Sequence, residues 1–142
     1  MKHVSRLAVL LAATCAAWSD GVAALSPFPL LGTVWAWHAM AVDGGVRTPI
    51  EAPERYTIEL LPDGDARVRA DCNRGRGRYQ ANDVELRFGP IATTKIGCPA
   101  GSRDRAFLDA LGRIDQYRFE GVDLVLASKD GRSTMRFKPA PS

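Results

Sequence analysis

The sequence predicts a mainly β domain, in which a meander of seven to eight short antiparallel strands closes into a small barrel-like sheet. Two observations carry this prediction. Apolar and polar residues alternate along most of the chain after Gly32, and turns rich in Gly, Asp and Asn separate the alternating runs. A single helical pattern falls late, near residues 102–114. Because open sheet edges favour aggregation, we expect closure; a two-layer α+β arrangement is the alternative.

The N-terminal 24 residues have the layout of a secretory signal peptide. Two basic residues precede an apolar run over residues 7–18, which is too short to span a bilayer, and small residues precede a predicted cleavage near Ala24. We expect a periplasmic or secreted protein. A buried core helix is one alternative. Another is a lipoprotein anchored through Cys15, the only route to membrane association that we expect, although Thr14 departs from the usual lipobox.

The mature chain is close to neutral. Removal of residues 1–24 leaves 17 of the 19 basic and 15 of the 16 acidic residues, a net charge of +2. This balance, with its dispersed acids, argues against nucleic acid as a partner.

After cleavage, residues 25–31 are predicted to form an extended lead-in and residues 32–138 the domain. Gly64 marks a tight turn between two of the strands. The candidate strand segments are residues 33–40, 55–61, 66–71, 77–80, 84–89, 92–98, 116–121, 123–128 and 133–138.

The predicted helix has a start and an apolar stripe. Ser102 is the candidate N-cap, and Asp104 lies in the first turn, where the helix dipole favours an acidic residue. The stripe that we expect to pack on the sheet consists of Phe107, Leu108, Leu111 and Ile114.

Cys72 and Cys98 remain after export and are expected to form a disulfide. Closing a loop of about 26 residues would stabilise the fold by roughly 3–4 kcal/mol in the chain-entropy model. Two buried free thiols are the alternative. Because neither cysteine lies in a CxxC motif, we predict no metal site and no redox centre.

The stretch "DCNRGRGRYQ" (residues 71–80) interleaves arginine with glycine. Its spacing matches no phosphate-binding loop, and no aromatic residues are interleaved with its arginines for base stacking. We favour a solvated strand face, with Gly75 and Gly77 marking a bulge or a close approach of backbone. A phosphate-contacting patch is the alternative. The arginines of this stretch and of the preceding segment are Arg74, Arg76, Arg78, Arg67 and Arg69.

Two tryptophans and one histidine occupy the first predicted strand. Trp35 and Trp37 share a face, so they lie either in the core or at the mouth of a cavity that binds an apolar ligand or a partner's side chain. His38 is the only histidine of the mature chain, and no GxSxG motif accompanies it. We therefore predict no catalytic residues, no cofactor and no enzymatic activity.

Five segments together resemble the META domain, or HslJ-like, family: "LLGTVWAW", "DCNRGRGRY", "ATTKIGC", "RAFLDAL" and "VDLVLASKDGRSTMRF". The resemblance spans about residues 30–138. It implies a compact, barrel-like antiparallel domain with one helix, and Cys72 and Cys98 as the family's cysteine pair. It also implies a bacterial envelope protein associated with stress or antibiotic tolerance, without established catalytic residues.

The sequence departs from the family where relatives often have Gly, at Asp71, and where they have bulky aromatics, at Gly75 and Arg76. These changes predict spare internal volume or a rearranged strand. The leading hypothesis is a non-enzymatic, monomeric envelope protein that binds a small ligand or partner near Trp35 and Trp37. The second is a surface module whose strand edge or arginines engage an envelope protein or an anionic glycolipid.

Overall fold

The computed structural model describes residues 29–141. The predicted signal peptide, Cys15 and residues 25–28 of the lead-in lie outside the described residues. The strands are β1 Val34–Val42, β2 Thr48–Pro49, β3 Tyr56–Leu60, β4 Asp65–Ala70, β5 Asn73–Ala81, β6 Leu86–Phe88, β7 Ala92–Thr93, β8 Ile114–Glu120, β9 Asp123–Ser128 and β10 Ser133–Pro139. A 3₁₀ turn spans Pro53–Arg55, and the helix α1 spans Asp104–Leu111.

Eight of these strands form an antiparallel sheet in the order β6-β5-β4-β3-β1-β10-β9-β8. Strands β2 and β7 are two-residue additions to β1 and β5. The two ends of the sheet meet, because Glu85 bridges to Gln116 and the Tyr117 N–H donates to the Val84 carbonyl at 3.0 Å. The predicted meander that closes into a barrel is confirmed, and the two-layer alternative is wrong.

The helix is shorter than predicted. Ser102 lies before it and accepts a hydrogen bond from the Asp104 N–H at 3.2 Å, and Ile114 begins β8 instead of ending the helix. Phe107 is fully buried, with its ring centroid 5.1 Å from that of Trp37 and 5.7 Å from that of Tyr56. One face of α1 therefore packs into the aromatic core of the barrel.

Both tryptophans of β1 lie in that core. Trp35 and Trp37 are 0% exposed, and Trp35 Nε1 donates to the Leu30 carbonyl at 3.2 Å. The predicted alternation ends after Trp37, because the pairing of β1 with β10 has a register shift between Trp37 and Ala39. Of the two alternatives for the tryptophans, the core is confirmed, because neither side chain is exposed.

Two predicted strand segments differ markedly from the observed strands. Residues 77–80 are the end of a longer strand, β5, that begins at Asn73, directly after the turn at Asp71 and Cys72. Residues 92–98 form a strand only at Ala92–Thr93. Within residues 29–141, no helix is long and apolar enough to cross a membrane.

Candidate functional site

The arginines of β4 and β5 share the outer surface of one hairpin. Its register places Arg69 opposite Arg74, Arg67 opposite Arg76 and Asp65 opposite Arg78. Side chains alternate between the two faces of a strand, and Ala66, Val68 and Ala70 are buried in the core, so these partners point outward. We call Arg67, Arg69, Arg74, Arg76 and Arg78 the arginine face. The prediction that the arginines are solvated is confirmed.

Positive charge on this face exceeds the negative charge beside it. Asp65 accepts a hydrogen bond from Arg78 at 2.8 Å and lies 4.0 Å from Arg76, and Glu59 lies 3.3 Å from Arg67. Five arginines thus share two carboxylates, which leaves a net charge of +3. Arginines directly opposite each other repel, and this repulsion typically costs a few tenths of a kcal/mol per pair, up to about 1 kcal/mol.

Arg69 and Arg74 are the least neutralised members of the face. Arg69 donates only to backbone carbonyls, of Asp71 at 3.3 Å and of Glu54 at 3.5 Å. Within the described part of the chain, no carboxylate oxygen lies within 4.0 Å of either guanidinium group. Both side chains therefore keep N–H donors available for an anion.

Four of the arginines line a shallow groove of about 380 Å³. The groove is also lined by Val34, Thr57 and Glu59, and by Val68 and Gly75. Arg78 is not among its lining residues, and its charge is taken up by Asp65. The groove is thus formed around the two opposed arginine pairs.

Glycine makes the hairpin thin enough for a neighbouring segment to approach. A Cβ at Gly75 would lie 2.6 Å from Thr93 Cγ2, and a Cβ at Gly77 would lie 2.9 Å from the Pro90 carbonyl oxygen. The β4–β5 register is unbroken, so the predicted close approach is confirmed and the predicted bulge is wrong. The volume expected to be spare at these glycines is occupied by residues 90–93.

The hairpin is also tied covalently to the segment before α1. The predicted disulfide between Cys72 and Cys98 is present, with the two Cα atoms 5.5 Å apart. Asn73 is buried beside it, where its Oδ1 accepts from the Ile96 N–H at 2.8 Å and its Nδ2 donates to the Ile96 carbonyl at 3.1 Å. These bonds satisfy the backbone of residues that form no strand, a role that sequence reasoning missed.

Asp71 precedes this disulfide in a left-handed conformation, with φ of 58°. Short polar side chains tolerate this conformation better than most others, which explains how Asp occupies a position where relatives often have Gly. The carboxylate is buried and paired with Arg55, and the Asp71 N–H donates to the Arg55 carbonyl at 2.7 Å. Sequence reasoning did not identify this pair, because the two residues are distant in the sequence.

His38 lies at the register shift of β1. Its partial burial, followed by the nearby Lys138, lowers its pKa below the ordinary value. Among residues 29–141, no group of three or more His, Cys, Asp or Glu side chains is placed to hold a metal ion.

Solved structures support the fold. The chain is similar to the NMR structure of a protein from Burkholderia xenovorans, with a TM-score of 0.64, 25% identity, and coverage of 84% of this chain and 94% of that one. It is also similar to the crystal structure of a DUF4847 family protein from Bacteroides vulgatus, with a TM-score of 0.58, 16% identity, and coverage of 80% and 96%. No curated protein matches the chain.

The model of the META domain matches residues 30–141, which include every strand, the helix and both cysteines of the disulfide. This match covers most of the chain, and the same residues form the barrel and carry the arginine face. The chain therefore belongs to the META domain family.

Proposed function

We propose that this META-domain protein is an exported, non-enzymatic binding protein of the bacterial envelope, and that its arginine face binds the phosphate groups of an anionic glycolipid. The observation that carries the proposal is that two pairs of arginines lie opposite each other, Arg69 with Arg74 and Arg67 with Arg76. Among residues 29–141, only Glu59 and a more distant Asp65 are placed to neutralise them. Like charges placed opposite each other oppose folding, so a ligand that neutralises them is the simplest reason to keep them.

The chemistry of the side chains favours phosphate. A guanidinium group is planar, permanently charged, and donates pairs of parallel N–H bonds that match phosphate oxygens. An arginine near an anionic lipid surface contributes about 1 kcal/mol to binding. The face is broad and open, as recognition of a headgroup in a membrane surface requires.

Because the tryptophans are buried, a binding site on the surface is favoured over an apolar cavity beside them. Trp35 and Trp37 are enclosed by core side chains, so binding an apolar ligand there would require the barrel to open. The arginine face needs no such rearrangement.

We propose that the protein is exported from the cytosol. The Cys72–Cys98 disulfide is compatible with an oxidising compartment such as the periplasm, because thiols are kept reduced in the cytosol. Binding of an envelope glycolipid would link the protein to stress or antibiotic tolerance, the setting that the family resemblance implies.

The test is binding of the purified mature protein to lipopolysaccharide and to its dephosphorylated form, at low and high salt. We expect binding to the phosphorylated form alone, and we expect high salt to weaken it at least about tenfold, because salt screens exposed charges. Arg74→Ala should weaken it about fivefold.

Arg118→Ala is the matched control. It removes the same charge from another surface of the barrel, where Arg118 is already paired with Glu120 at 2.7 Å. Equal binding to both forms of the glycolipid would contradict the proposal. If position 74 cross-links to an envelope protein and no glycolipid binds, the partner of the arginine face is a protein and not a glycolipid.

A further inference from the structure

We propose that the arginine face recognises a ligand with two phosphate groups about 7 Å apart, one held between Arg69 and Arg74 and the other between Arg67 and Arg76. This inference rests on the proposed function and deepens it. It specifies how many phosphates the ligand carries and how they are spaced.

The spacing follows from the register of the hairpin. Residues directly opposite each other on antiparallel strands have Cβ atoms roughly 4.5–5.5 Å apart, so the two arginines of one pair can donate to the same phosphate. The two pairs are separated by two residues along each strand, which is about 7 Å at ~3.4 Å per residue. Each pair therefore forms a clamp, and the distance between the clamps is fixed by the strands.

The net positive charge of the groove is close in size to the negative charge of two phosphate groups. The groove is lined by four arginines and Glu59, a net charge of +3. Two phosphate monoesters carry roughly −3 to −4 near neutral pH. A single phosphate would leave one opposed pair of arginines unneutralised.

The carboxylates near each arginine indicate how much that arginine should contribute to phosphate binding. Arg69 and Arg74 have no carboxylate within 4.0 Å among the described residues, whereas Glu59 lies 3.3 Å from Arg67. The Arg69–Arg74 clamp should therefore be the stronger of the two. Arg78 lies outside the groove and is bonded to Asp65 at 2.8 Å, so it should contribute least.

The experiment is a calorimetric titration of the mature protein with a series of phosphate probes. The series contains inorganic phosphate, propane-1,3-diyl bisphosphate, whose phosphates can reach this separation, and methylene bisphosphonate, whose phosphorus atoms are too close together. We expect the propane probe to bind at least about tenfold more tightly than either of the others.

Substitutions in the groove test whether the two clamps cause the preference for the propane probe. Arg74→Ala and Arg76→Ala should each weaken binding of the propane probe about fivefold or more and reduce its advantage over inorganic phosphate. Arg118→Ala, which removes the same charge from a surface outside the arginine face, should change the affinity less than about twofold. Unfolding temperatures measured without ligand separate loss of binding from loss of the fold.

The outcomes distinguish the two proposals. Failure of the wild-type protein to bind lipopolysaccharide or any of the phosphate probes would overturn both. Phosphate-dependent binding of lipopolysaccharide together with equal affinities for all three probes would overturn the double clamp alone, as would an Arg118→Ala variant impaired as strongly as Arg74→Ala.

Discussion

Two surfaces of the same barrel carry arginines in opposite electrostatic situations. On β8–β10, Arg136 is only 14% exposed and pairs with Glu120 and with Asp123, the latter at 2.8 Å, while Arg118 pairs with Glu120. We call these four residues the ion-paired face. On the arginine face, Arg69 and Arg74 have no carboxylate oxygen within 4.0 Å in the part of the chain that the structure describes. Carboxylate partners, and not the number of arginines, therefore separate charges that hold the fold from charges left available to a ligand.

The two surfaces also differ in what holds them in place. The arginine face lies on a hairpin fixed by the Cys72–Cys98 bond, by the buried Asn73, and by the close approach of residues 90–93 to Gly75 and Gly77. The ion-paired face relies on strand pairing and on its own charges. The hairpin can therefore carry repelling arginines because other contacts fix its conformation.

Loss of the disulfide should have the largest effect. The Cys72→Ser/Cys98→Ser variant should lose about 3–4 kcal/mol of unfolding free energy, because the unfolded chain regains the freedom of a 26-residue loop. Denaturant unfolding measures this, and reduction of the wild-type protein is the control. A loss below about 1 kcal/mol would show that hydrogen bonds alone hold the hairpin.

Arg136→Met should be the next most damaging change, at about 2 kcal/mol, because it leaves the partly buried Asp123 without its partner. The exposed Glu120 keeps Arg118 and should contribute little to this loss. Arg118→Ala is the matched control, and we expect it to cost less than about 1 kcal/mol because its side chain is exposed. Similar losses for both variants, measured by denaturant unfolding, would mean that burial does not decide the strength of these pairs.

Gly77→Ala should destabilise the protein by about 1–3 kcal/mol, because the new methyl group meets the backbone of Pro90 and Ile91. Gly89→Ala is the control, because it adds the same methyl group where the nearest atom, the Arg78 carbonyl oxygen, is 3.4 Å away. Melting temperatures measure both effects, and we expect the smaller decrease for Gly89→Ala. The reverse order would contradict the close approach behind the arginine face.

Acid should weaken the ion-paired face in particular. Hydrogen bonds from Arg136 and then Arg118 lower the pKa of Glu120 below its ordinary 4.5. A pKa that is lower in the folded state contributes stability above the unfolded value, and this contribution is lost as the pH falls through the folded value. Glu120→Gln should therefore flatten the fall in unfolding free energy below about pH 4.5, whereas Arg74→Ala should leave this part of the curve unchanged.

The sequence was sufficient for most of the strands, for the barrel and for the disulfide, because alternation, turn residues and a pair of cysteines can be read from the sequence. It misplaced the end of the helix because Ile114 suits both the helical stripe and the first position of β8. The arginines were correctly predicted to face solvent. Their pairing across β4 and β5 depends on the register set by the turn at Asp71 and Cys72, and residues 90–93 approach the hairpin only in the folded chain. Alternation placed the tryptophans on one face, but only the closed barrel shows that this face is the core.

The unfolding free energy of the Arg69→Ala/Arg74→Ala variant, measured by denaturant at low salt without ligand, shows whether these two arginines stabilise the fold or are kept for a ligand. If these arginines are kept for a ligand, the variant should be as stable as the wild-type protein or more stable by up to about 1 kcal/mol, because one opposed pair of like charges is gone. Added salt should reduce any gain. A loss of more than about 1 kcal/mol would contradict the account, because it would show that the arginine face stabilises the fold.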